Sequence, residues 1–71
     1  MDEAEIALLE KAVNKAKFKL TQEAGALHDL IEDRLMADFE QIPAYSEATY
    51  KAACAWFELL QQLQKAKEVN G

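Results

Sequence analysis

Seventy-one residues with eight basic and thirteen acidic side chains, a net charge of −5, make one domain and carry the wrong sign for the phosphate contacts that dominate nucleic-acid affinity. Apolar residues reach 51%, many of them alanine, with two glycines and one proline, which favours helix and argues against a sheet. No apolar run approaches the ~20 residues that span a bilayer, and no signal-peptide pattern opens the chain. The expected setting is therefore cytoplasmic, without membrane or nucleic-acid partners. Cys54 is the single cysteine and has no intramolecular disulfide partner, as suits a reducing compartment.

Asp2, Glu3 and Glu5 stand where the first turn of a helix prefers carboxylates. From there Ile6, Leu9, Val13, Ala16, Leu20, Leu27 and Leu30 alternate at three and four, with Glu23 taking the one polar place between Leu20 and Leu27. That is a coiled-coil seam, and Ala24 and Ile31 widen it as a bundle helix requires. The pattern predicts helix 1 over about 3–35, on the order of 45 Å long at 1.5 Å per residue. Gly25 lies inside it, either a place of close helix approach or a weak point that costs roughly 1 kcal/mol against alanine.

The periodicity lapses over about 36–42, the predicted connection, and Pro43 marks the restart, since a first helical turn tolerates the missing N–H. Helix 2 is predicted over about 43–68, with a seam of Tyr45, Thr49, Ala52, Trp56, Leu59, Leu63 and Ala66. Asn70 and Gly71 form a plausible stop. A second stripe, Tyr50, Ala53, Phe57 and Leu60, runs beside that seam and has no partner within the chain.

The fold expected is all-α: residues 1–71 as a single antiparallel two-helix hairpin that dimerises into a four-helix bundle. Below roughly 70–80 residues one core seldom gives enough stability, and association is a common remedy. The Tyr50–Leu60 stripe is the expected homodimer interface. Charges segregate along this rod. Lys11, Lys15, Lys17 and Lys19, joined by Lys65 and Lys67, lie toward the open end. Asp29, Glu32, Asp33, Asp38, Glu40 and Glu47 gather at the turn.

His28 and Glu32, four apart, share a helix face and can chelate a divalent metal or form an ordinary side-chain pair. A single pair half-fills a coordination shell, and no glutamate lies three residues before His28. Asp29 and Asp33 form another such pair, expected to face solvent. With one histidine, one cysteine, no Ser–His–Asp set, no glycine-rich phosphate loop and no CxxC, no catalysis is expected.

Leu27-His28-Asp29-Leu30, then Glu32, Phe39-Glu40, Ile42-Pro43 and Ala48-Thr49-Tyr50 with Ala52 resemble the small Rop-like helical hairpins of bacterial nitrogen-fixation operons, often called NifX-associated proteins. The likeness spans about residues 13–66. It implies a dimeric hairpin, a divalent metal held across the dimer at His28, and a non-enzymatic accessory role beside a nitrogenase-assembly or nitrogenase-related partner. Divalent-metal carriage or sensing through His28 and a purely structural dimerisation module are the alternatives. Rop itself binds paired RNA loops, a function that needs a basic face; the net charge of −5 opposes it. Where family members tend to have Leu-Pro after the acidic residues, this chain reads Arg34-Leu35-Met36-Ala37-Asp38. That departure implies a helix 1 that runs on by a turn and a different connection.

Overall fold

The computed structural model describes residues 3–70, with Val69 and Asn70 by their backbone alone. Three helices and one 3-10 turn account for nearly all of it: α1 (Glu3–Asp33), α2 (Leu35–Asp38), the turn Phe39–Gln41, and α3 (Ile42–Asn70). No strand occurs among the described residues. α1 and α3 pack along their length as an antiparallel hairpin, a rod of 51 × 14 × 13 Å.

The three-four alternation decides what is covered. Every seam residue of both helices is buried or half-buried, Glu23 included. Glu23 tolerates its place because its carboxylate meets Lys19 Nζ at 3.2 Å, one turn earlier on the same face. Thr49 resolves its polarity locally, its hydroxyl donating to the Tyr45 carbonyl at 2.9 Å. The fully shielded core is small: Val13, Leu30, Ala52, Leu63 and Ala66, with Leu30 completely enclosed near the turn. Ala24 and Ile31, expected to broaden the buried stripe, lie in solvent instead. A single packed neighbour covers only the seam of α1, so its flank is left open.

α1 ends at Asp33, two residues short of the expected boundary, because Arg34 leaves helical geometry (φ −131°, ψ 15°). The break loses little hydrogen bonding. Arg34 N–H still donates to the Leu30 carbonyl at 3.0 Å, and the Arg34 carbonyl accepts from Asp38 N–H at 2.8 Å. One further helical turn, α2, follows with its axis redirected, so the proline-free connection is helical. Pro43 occupies the second position of α3, where no N–H is needed.

Such a rod is poorly self-sufficient. Its radius of gyration is 16.0 Å, against about 11 Å for a compact domain of this length. Its accessible surface is 5447 Å², about 1,000 Å² more than a compact monomer of this mass exposes.

Candidate protein-interaction face

One contact across the hairpin fixes how the two helices align. Lys67 Nζ lies 3.8 Å from Glu10 Oε1, so residues 10 and 67 share one long side of the rod at one level. A seam of this period returns to the same side every seven residues. Glu10 therefore shares its side with Lys17, Ala24 and Ile31, and Lys67 shares the same side with Leu60, Ala53 and Ser46. Tyr50 and Phe57 flank that row one helical step outward.

The consequence is a continuous apolar surface built from both helices. Ala24 and Ile31 join the Tyr50, Ala53, Phe57 and Leu60 stripe on a single side of the hairpin. Tyr50 is 71% exposed, Phe57 51% and Ile31 46%, while Ala53 and Leu60 are half-buried. The Phe57 ring leans against Trp56 of the seam, centroids 6.4 Å apart and tilted by 47°, which holds it in place on the surface. A side-chain hydrogen bond with Cys54, one turn along, pushes the Tyr50 phenol above its ordinary pKa. The opposite long side carries Ala12, Lys19, Ala26, Ala48, Ala55 and Gln62, with Leu8 as the large apolar group on its flank. The apolar content of the rod is thus lopsided.

Other large apolar groups stand apart from this face. Leu8 and Phe18 are exposed on α1, and Met36 and Phe39 on the connection. Periodicity assigns Met36 and Phe39 no place on either seam. Only their place at a redirected turn makes them prominent.

His28 lies on the flank of the same side, four residues from Ala24 and three from Ile31. Its Nε2 is 3.1 Å from Glu32 Oε2, and its Nδ1 is 3.8 Å from Asp29 Oδ1. The imidazole sits between two carboxylates, all three side chains well exposed. Among the described residues no three His, Cys, Asp or Glu side chains gather into a metal-holding group. The geometry brings together the expected His28–Glu32 pair, and Asp29 stands near the other ring nitrogen while remaining in solvent. Gly25 is no site of close approach within the hairpin: a methyl group there would meet nothing within 4 Å.

The lysines gather toward the open end as expected, with Lys67 on Glu10, and the turn end is acidic. Among the described residues, no helix is long and apolar enough to cross a membrane.

The Rop-like family model matches residues 4–68, nearly the whole chain. This protein is a member of the Rop-like family. Membership fits the hairpin, and it places the chain among small helical protein-interaction modules. No curated protein and no solved structure matches the chain.

Proposed function

We propose that this Rop-like protein is a non-enzymatic accessory protein of nitrogen fixation that acts through protein–protein contacts as a homodimer. The apolar side described above would close on a second copy to form a four-helix bundle, leaving both ends of the rod for a nitrogenase-assembly or nitrogenase-related partner. The observation that carries the reading is the continuous Ile31–Ala24–Tyr50–Ala53–Phe57–Leu60 surface on a rod with a very small core. One long side of a 51 × 14 Å rod is about 700 Å² before side chains are added, close to the ~800 Å² each partner contributes to a standard interface. The nitrogen-fixation assignment rests on the Leu27-His28-Asp29-Leu30 and Ala48-Thr49-Tyr50 resemblance. It is tested by affinity capture from nitrogen-fixing cells with the tagged dimer. Recovery of a nitrogenase or cofactor-assembly protein supports it, and its absence from repeated captures counts against it.

A second reading is favoured by the 3.1 Å His28–Glu32 pair: divalent-metal carriage or sensing. Calorimetric titration with nickel, iron or zinc decides it. Equal binding by wild type and His28→Ala removes the site.

A further inference from the structure

We propose that the turn end of the rod is a docking site for a cationic amphipathic segment of another protein, which seats an apolar side chain against Met36 and lays its lysines or arginines among the surrounding carboxylates. The proposal rests on the protein-contact reading above, to which it adds the end of the rod and the chemistry of the partner. It holds for one copy of the chain or for two.

The first observation is an apolar groove that the hairpin leaves open. Arg34 departs from helical geometry and turns α2 away from the line of α1. Between the two lies a groove of about 370 Å³, with Ile31, Glu32 and Asp33 on the α1 side and Leu35, Met36 and Ala37 on the other. Backbone bonds hold the corner: Ala37 N–H and Asp38 N–H both donate to the Arg34 carbonyl, at 3.2 and 2.8 Å. The groove is therefore built before any partner arrives. Met36 is 91% exposed beside it, and Phe39 follows one turn later at 56%. Large apolar groups gathered in water mark an interaction site. An unbranched thioether adapts its shape to the apolar group it meets, which is why methionine is over-used at binding surfaces.

The second observation selects the occupant. Residues 28–47 hold six carboxylates against one guanidinium, Arg34, and so carry the whole net charge of −5. The rest of the chain is neutral, with seven carboxylates and seven lysines. Arg34 is itself engaged, its Nε 4.0 Å from Asp38 Oδ2. Glu32 and Asp33 line the groove, and Asp33 and Glu40 form no ion pair among the described residues. A concentrated negative field with an apolar centre steers a cationic partner in and then anchors it.

The same field disfavours the other occupants. Nucleic acid and anionic lipid both carry the wrong sign. A second copy of the chain is a poor match, because the rest of its sequence is neutral and two of its lysines, Lys19 and Lys67, already lie on Glu23 and Glu10. The fitting partner presents clustered lysine or arginine beside one large apolar anchor. A helix with basic and apolar faces side by side meets both demands, its anchor entering the groove as in other helix-in-groove contacts.

The experiment titrates the native chain against a labelled amphipathic helical peptide of leucine and lysine, and against its counterpart with glutamate for every lysine, reading fluorescence anisotropy. The lysine peptide is expected to bind saturably and more weakly as salt rises, and the glutamate peptide not to bind. No binding of the lysine peptide by the folded chain overturns the proposal. Met36→Glu separates docking from plain charge attraction, because it removes the apolar anchor while adding a negative charge. Docking predicts about tenfold weaker binding, as for the loss of an anchor side chain. Unchanged or tighter binding means that charge alone holds the peptide, and overturns the site. Phe18→Glu makes the same kind of change at an exposed position in the other half of the rod and is expected to leave binding intact. An equal loss there overturns the placement at the turn. Sedimentation of the same samples keeps this proposal apart from the dimer. A monomer that binds through Met36 leaves the docking site standing and removes the dimer, and a dimer that ignores the peptide does the reverse. A wild-type oligomer larger than a dimer that Met36→Glu breaks down assigns the groove to a second copy and overturns the partner reading.

Discussion

Glu10 and Lys67 face each other at 3.8 Å across the hairpin, 57 positions apart in sequence, and their pairing puts the flanks of α1 and α3 on a common side. Both side chains are about half exposed, so the pair reports alignment more than it supplies stability. Exposed ion pairs contribute ~0–1 kcal/mol. Glu10→Lys should cost less than about 1 kcal/mol, and adding Lys67→Glu should restore it. Urea denaturation at one fixed protein concentration checks both variants.

Leu30 is the completely enclosed side chain at the turn end of the seam. Its truncation to alanine should cost ~2–5 kcal/mol, the range for emptied core sites. In a core this small that loss should abolish most helical circular dichroism at 37 °C. A shift in the urea midpoint equivalent to less than about 1 kcal/mol would mean that the site collapses or that the core lies elsewhere.

Gly25 sits in helix with open space where a Cβ would project. Gly25→Ala should stabilise the protein by about 0.5–1 kcal/mol through backbone entropy and helix propensity. A loss of stability would indicate that another chain packs closely against this position in the assembled protein.

Phe57→Glu places a charge in the middle of the apolar side and replaces no residue of the α1–α3 seam, at the loss of the Phe57 ring contact with Trp56. Sedimentation should show the chain mass at micromolar concentration, and helicity should fall only as far as the lost association requires. Thr49→Val, on the seam, serves as the contrasting change: it replaces a hydroxyl already bonded to Tyr45 and should leave association unchanged.

His28→Ala removes the imidazole between Asp29 and Glu32. All three groups are well exposed, so stability should change by no more than about 0.5 kcal/mol, as for surface substitutions generally. A larger loss, appearing only when a divalent metal is present, would support the metal reading.

The hairpin was legible because α-helical burial repeats at three and four. That repeat picks out Ile6 through Leu30 and Tyr45 through Ala66, residue for residue, and tolerates Glu23 because Lys19 lies one turn away. The break at Arg34 was not legible. Arg34-Leu35-Met36-Ala37 are all good helix formers, and the chain turns there because α3 must return along α1, a tertiary demand that overrides propensity. The apolar side was legible only in halves. Periodicity places Tyr50 and Phe57 on one flank of α3, and Ala24 and Ile31 on one flank of α1. Their merging depends on the axial alignment of the two helices, which the length of the connection sets. The approach of His28 to Asp29 was hidden as well, because adjacent residues on a helix ordinarily point apart.

The central claim is that the apolar side of the rod is covered by a second copy of the chain. Sedimentation equilibrium at micromolar concentration tests it most directly. The account predicts a species of twice the 8.0 kDa chain mass that Phe57→Glu converts to monomer. A folded wild-type protein that sediments at 8.0 kDa across that range contradicts it.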